Sequence, residues 1–519
     1  IEKKRKSKEN NFERKGKIDS YLNGYKGLFI ILILSLILYA YTFDMKLDLN
    51  GDNVRYYLLG KAIAEGKGFS SIWLPDSPPH TYWPIGYPII ISAVMKLGIT
   101  SITAIKITNY IFLLGIIIFF FCFVNNITQN KTVSIVSTLI LGINTHMLHY
   151  AYIMMAEIPF LFFSILSLYF ISKIDFKVPI YKNCFILASI FTMTFSFYIK
   201  SIGFVILFAV LIYYLIYKQW KVGLFTLCGF IILYSPYYLR NYLLGVKGST
   251  YIKSLIYKNP YRKELGMMGI GDYIERIFNN LQRYISIEIP SSILTFIDPY
   301  KGSIISGFIG MVFLLIVIWG LVHLKKYRIL IATLFIGILG ILLLWPEVWY
   351  GTRFLLILLP LIIFLIIHGI YILSTKYKVN PNFLFGLGIL YFLIHISSYS
   401  YLNKKSCAEY PANYANYFKI AHWADQNTNS DDIFITRKPQ FFYLFSNRKA
   451  ISYKSTLDDK ELISDLEMKN ARYVIIEQLG SSSTLRYLVP AIQKNLDRFE
   501  LVINLKNPDT CLLKFKDKI

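Results

Sequence analysis

Two carboxylates and three cations sit where they could do chemistry. Asp48 and Asp52 flank a glycine in "LDLNGDNVRYYLLGKAIAEGKGF", and Glu157 opens "EIPFLFFSILSLYF" with Pro159 in its first turn. Lys200, Arg240 in "SPYYLRN" and Arg353 in "WYGTRF" each begin or end an apolar run. Simple roles exist for all five: Asp52 as a helix cap, Glu157 as a charge favoured by the helix dipole, the cations as headgroup anchors. Taken together they suit a site for an anion. At a membrane surface the natural anion is a lipid phosphate. A sugar joined to a polyprenyl phosphate leaves behind a phosphate that is stable as an anion, so transfer needs one base for the acceptor hydroxyl and cations for the departing group. A glycosidase, which must protonate its leaving alcohol, needs a second carboxyl as acid.

The elements that must hold these residues are membrane helices. The chain has 519 residues, 55% of them hydrophobic and only 17% charged, with mean hydropathy +0.47. Soluble domains carry roughly 25% charged residues. Apolar runs recur at 27–42, 84–98, 102–124, 131–147, 157–173, 183–198, 201–217, 221–237, 303–322, 328–345, 353–373 and 383–398. Several approach the roughly 20 residues that a spanning helix needs. The net charge of +24 lies in short loops and in the N-terminal "EKKRKSKENNFERKGK", which reads as the positive-inside signal and not as a nucleic-acid surface. No small-residue cleavage site follows the first run, which is expected to stay as an anchor.

Parity decides the topology. "TYWPIGYP", Thr81 to Pro88, leads into the short run 84–98. If that run crosses, the basic loops "SKIDFKVPIYKN", "YKQWK", "HLKKYRI" and "STKYKVN" all fall outside. If it lies along the outer leaflet as a proline-led juxtamembrane helix, they all fall inside. The second arrangement predicts about eleven transmembrane helices plus juxtamembrane helices, a cytoplasmic N-terminus and an extracytoplasmic C-terminal domain, in the plasma (inner) membrane. It gathers Asp52, His80, Tyr82, Tyr87, Glu157, Lys200, Arg240 and Arg353 on the outer face. Lys200, in a very tight turn, is expected there as a surface-level cation.

Three regions follow: a basic tail 1–26, a transmembrane domain 27–400 with outer loops 43–101 and 238–302, and a small α/β domain 401–519. The loop 238–302 is basic and partly amphipathic, and reads equally as a lid hinged at Gly266, Gly269 and Gly271 or as a fixed interfacial helix pair. In the C-terminal region "DIFITR", "KAISY", "RYVIIE", "FELVINL" and "TCLLKF" read as strands, with helices at 458–469 and 483–496. It has no glycine-rich phosphate loop, nucleophile motif or metal cluster, and Cys407 and Cys511 lack CxxC spacing. "HMLHY" puts His146 and His149 on one helical face, a spacing that allows metal ligation.

Five stretches in order resemble the membrane-embedded GT-C glycosyltransferases, in the branch with protein O-mannosyltransferases and lipid A aminoarabinose transferases. They are the acidic loop "NGDNVRYYLLGKAIAEGKGF", "WPIGYP", "MMAEIPFLFF", "SPYYLRN" and "GTRFLLILLP". The resemblance covers most of residues 27 to 374. It implies an inverting transferase with a polyprenyl-phosphate sugar donor. Asp52 would be the base and Glu157 a second acid that orients acceptor or sugar. Lys200, Arg240 and Arg353 would contact phosphate, and Tyr82, Tyr87 and His80 would line the substrate site. A divalent cation is left open, because some relatives use one. The acceptor could be a glycan, a lipid or a protein. Tyr82-Trp83 replaces the acid–lysine pair of aminoarabinose transferases, which sets lipid A and aminoarabinose aside as specific substrates. Ligation or polymerisation of a whole lipid-linked glycan is the nearest alternative. A secondary transporter fits less well, because the apolar runs are clean and the polar residues gather on one face.

Overall fold

The computed structural model describes residues 25–49, 51–246, 254–480 and 482–516. Most of the basic tail therefore lies outside the described residues. The chain is mainly helical and divides into two compact units, one of Ile1–Met45 with Lys106–Ser406, the other of Lys46–Ile105 with Cys407–Ile519. The first is here the membrane unit and the second the α/β unit.

Among the described residues, six helical stretches are long and apolar enough to cross a membrane: Tyr25–Thr42, Ile102–Thr128, Trp220–Leu243, Ile304–Val322, Leu359–Lys376 and the run Phe383–Asn427. Six further apolar helices have 10–17 residues. In the membrane unit the shorter ones pack between the long ones around a continuous apolar core that includes Phe120, Phe123, Leu141, Met193 and Phe364. Two of the long helices touch backbone to backbone. A Cβ on Gly320 would lie 2.2 Å from the Leu365 carbonyl oxygen, and one on Gly369 would lie 2.7 Å from that of Ile316.

The segment 238–302 is held down at its described end. Its helix Ile270–Arg283 buries Arg276 to 2% exposure. That guanidinium donates to the carbonyls of Leu255, Tyr257 and Lys258 at 3.1, 2.8 and 3.3 Å. Asn280 donates to Leu343 and Trp345, both at 2.9 Å, and so satisfies carbonyls left open where the helix Arg328–Leu344 ends. The helix Ile270–Arg283 continues through one π turn, Tyr284–Glu288, into Ile289–Ile293.

In the α/β unit all five expected strands form: β1 (Ile433–Ile435), β2 (Ala450–Ile451), β3 (Ala471–Ile476), β4 (Phe499–Leu505) and β5 (Thr510–Phe515). The sheet order is β2-β1-β3-β5-β4, with β2, β1 and β3 parallel and β5 antiparallel to both β3 and β4. The edge strand β2 is covered from the 69–79 loop. The Ala450 amide donates to the Trp73 carbonyl at 2.9 Å, and Lys449 donates to Ile72 O at 2.7 Å and Ser77 Oγ at 2.8 Å.

The run 84–98 is the helix Gly86–Lys96 in this same unit. Eleven residues at about 1.5 Å each make about 16 Å, roughly half of the ~30 Å apolar layer. That is shorter than a spanning helix needs. It packs on the helix Gly51–Ala64 so tightly that a Cβ on Gly60 would lie 2.5 Å from Ile91 Cγ2.

Candidate active site

Glu157 is the first residue of the helix Glu157–Ser172, and its side chain is 1% exposed. A carboxylate loses much hydration there and survives as a charge only if it is paired. Two cations from distant segments pair it. Lys200 Nζ donates to Glu157 Oε1 at 2.9 Å, and Arg353 Nε donates to the same oxygen at 2.6 Å. Lys200 caps the end of Cys184–Ile199, just before the turn Ser201–Gly203. Its side chain is 20% exposed and engages Glu157. Arg353 follows Gly351, whose φ of 114° is open to glycine and strained for other residues. Glu157 Oε2 has no hydrogen-bond partner among the described residues. Two cations on one carboxylate leave a surplus of one positive charge at this cluster.

A second buried pair adjoins the first through the same glycine turn. Arg283 Nε donates to Glu288 Oε1 at 2.7 Å, and the Gly351 amide donates to that oxygen at 3.4 Å. Burial pushes the Glu288 carboxyl above its ordinary range, and Arg283 opposes the shift. His146 lies between the two pairs, with Nε2 3.1 Å from Ser291 O and Nδ1 3.5 Å from Thr352 Oγ1. His149 instead meets the Tyr152 hydroxyl at 2.8 Å. Among the described residues no three His, Cys, Asp or Glu side chains form a group that could hold a metal. Glu157, whose Oε1 already faces two cations, is a poor ligand for a third. Arg240 lies in the last turn of Trp220–Leu243, with Nη1 donating to Asn241 Oδ1 at 2.9 Å.

In the α/β unit the acidic loop has its own anchors. Asp52 sits in the first turn of Gly51–Ala64, inside the helix and not at its cap, and Asn53 donates to Asp48 Oδ1 at 3.1 Å. Lys438, after β1, donates to the Leu49 carbonyl at 3.1 Å and to the Tyr414 hydroxyl. Burial holds the Lys438 amine down to about 8, while Asp48 and, more weakly, Asp52 pull it up. Nothing in the sequence reading singled out Lys438. Glu288 left a signal: it is a lone acid within "ISIEIPSSI".

Around Pro84, His80, Trp83 and Tyr87 are buried. Tyr87 is 1% exposed and meets Tyr56 edge-on at 5.0 Å, so it packs this unit and has no open face for a substrate. His80 Nε2 accepts from the Trp83 amide at 3.2 Å, which leaves Nδ1 to donate to Ser71 Oγ at 3.0 Å. The ring thus holds the turn as its neutral Nδ1–H tautomer. Tyr82 is exposed.

The arrangement as a whole has counterparts. Archaeoglobus fulgidus oligosaccharyltransferase, tethered to an acceptor peptide containing the NVT sequon, superposes with TM-score 0.55 at 10% identity over 95% of this chain and 74% of its own. ArnT from Cupriavidus metallidurans superposes with TM-score 0.58 in the apo state at 8% identity, and with 0.55 at 9% identity when bound to undecaprenyl phosphate. Both ArnT structures cover 94% of this chain and 97% of their own. The chain has a GT-C-like fold. No protein-family model and no curated protein sequence matches it. This GT-C-like chain therefore shares an architecture with these proteins at identities that speak for the fold alone.

Proposed function

We propose that this protein is an inverting glycosyltransferase that moves a sugar from a polyprenyl-phosphate donor to an acceptor hydroxyl on the outer face of the plasma membrane. In this reading the N-terminus is cytoplasmic and the C-terminal domain extracytoplasmic. The observation that carries it is the Lys200–Glu157–Arg353 cluster, a net positive group at a helix start within a GT-C-like fold. Such a cluster suits a phosphate, and Glu157 Oε2, which has no hydrogen-bond partner among the described residues, suits a donated hydroxyl of sugar or acceptor.

The reaction then runs as one displacement. Asp52 takes the proton of the acceptor hydroxyl as its oxygen bonds to the anomeric carbon. The bond from that carbon to the phosphate oxygen breaks, and the pair of electrons stays on the phosphate. Lys200, Arg240 and Arg353 balance the charge that grows there. No step is routed through a metal. A whole lipid-linked glycan as the transferred group is the second reading, favoured by the likeness to the oligosaccharyltransferase.

Asp52→Asn tests the proposal. The variant should bind undecaprenyl phosphate in nanodiscs as the wild type does, while transfer from an undecaprenyl-phosphate sugar, followed by mass spectrometry of envelope fractions, is lost. Unchanged glycosylation in the variant would remove Asp52 as base.

A further inference from the structure

Beside the charged cluster the membrane unit contains an open cavity of about 810 Å³, lined by Asn279, Gln282, Arg283, Tyr300, Ser303 and Tyr350 among others. Sites for small molecules occupy about 300–1,000 Å³. The wall is built, not incidental. Arg283 is paired with Glu288, whose side chain is 1% exposed, and its guanidinium carbon lies over the Tyr350 ring, 3.9 Å from the centroid. Glu288 Oε2 has no hydrogen-bond partner among the described residues. A buried ion pair of this kind adds little stability over an apolar pair. What it does supply is a guanidinium held at the rim in one orientation. The charge of Arg283 is already matched by Glu288, so the cavity does not call for an anion. It offers carboxamides and hydroxyls, with two tyrosine rings that are 51% and 72% exposed at Tyr350 and Tyr300. Polar hydrogen-bonding groups beside exposed tyrosines, one of them with Arg283 over one face, suit a ring that has hydroxyls on its edge and C–H bonds on its face.

We propose that this cavity binds a neutral sugar residue, as a subsite separate from the phosphate cluster. Ser303 and Ile304 form its rim at the start of the spanning helix Ile304–Val322, so the sugar would be one carried at the membrane surface. The inference rests on the glycosyl-transfer reading for its biological meaning, though the binding itself does not. The sugar could belong to the donor or to an acceptor glycan, and the chemistry recognised is the same.

The test is saturation-transfer NMR on the full chain in nanodiscs with the methyl glycosides of mannose, glucose, galactose and N-acetylglucosamine. At least one should receive transfer, and Tyr350→Ala or Tyr300→Ala, both at exposed positions, should weaken it by about threefold or more. A glycoside whose binding tightens when undecaprenyl phosphate is added is a donor sugar; one that is indifferent is an acceptor sugar. No transfer to any glycoside, or equal transfer in both variants, overturns the proposal. Asp52→Asn should leave glycoside binding intact. Loss of the reaction with binding retained, or the reverse, thus tells the failure of one reading from that of the other.

Discussion

Arg353 reaches Glu157 across 196 residues of sequence and donates to the same carboxylate oxygen, at 2.6 Å, that Lys200 engages from 43 residues away. The carboxylate is interior and both cations are about three-quarters covered, so the three charges form one unit whose members depend on one another.

That dependence is measurable. Glu157→Gln leaves two half-buried cations facing each other and should cost about 2–4 kcal/mol, read as a lower unfolding temperature in detergent. Lys200→Met should cost less, because Arg353 still pairs the acid. The double variant should be milder than the sum by about 1–3 kcal/mol. Strict additivity would mean that the pair is not coupled.

Two glycines predict opposite rescue behaviour. Gly60→Ala drives a methyl against Ile91 Cγ2 and should cost about 1–3 kcal/mol. In an Ile91→Ala background the same change should cost less, since Cγ2 is gone while the residue-91 Cβ at 2.7 Å remains. Gly320→Ala meets a backbone oxygen, that of Leu365, and no side-chain trimming should rescue it. Thermal unfolding of the four variants decides both points.

Stability of the α/β unit should depend on pH through Glu477. This residue follows β3, is 2% exposed, and accepts from Thr484 Oγ1 at 3.0 Å. Burial raises its carboxyl from 4.5 to about 7. The folded chain therefore holds the proton more tightly than the unfolded chain between those two values. The stabilisation is complete below about 4.5 and is lost as pH rises through about 7, on the order of 3 kcal/mol in all. Relative to Glu477→Gln, which stays neutral, the wild-type unfolding temperature should fall between pH 4.5 and 7.5. A constant gap over that range would contradict it.

Lys438→Met should loosen the acidic loop by removing the donor to the Leu49 carbonyl. The expected result is faster hydrogen exchange in residues 46–52 with the sheet's protection unchanged. Equal exchange in both proteins would show that the loop does not depend on the lysine.

Much of this architecture was legible because periodicity and length report backbone state directly. The five strands stand out as short β-branched and aromatic runs, and the proline-led 84–98 segment is too short to span. The helix Pro439–Ser446, PQFFYLFS, was missed because eight residues are too few to show a clear period. Glu157, Lys200 and Arg353 could be chosen from their places at run ends, but the sequence could not reveal that both cations serve one carboxylate oxygen. Nor could it turn Tyr87 inward. The proline that announces that helix says where the chain starts to coil, and nothing of which way the ring faces. Lys438 and Arg276 were invisible for a related reason: a cation that binds backbone carbonyls has no partner residue to betray it.

The order of the three charges also bears on how the chain is made. Lys200 leaves the ribosome 43 residues after Glu157, whereas Arg353 comes 196 residues after it. At about 5–20 residues per second the second delay lasts roughly 10–40 s. From residue 200 onward within that interval the nascent acid has lysine as its one counter-ion from this trio. Lys200 is then the early chaperone of a charge that arginine later locks, and a ribosome stalled before residue 353 should display a half-built centre.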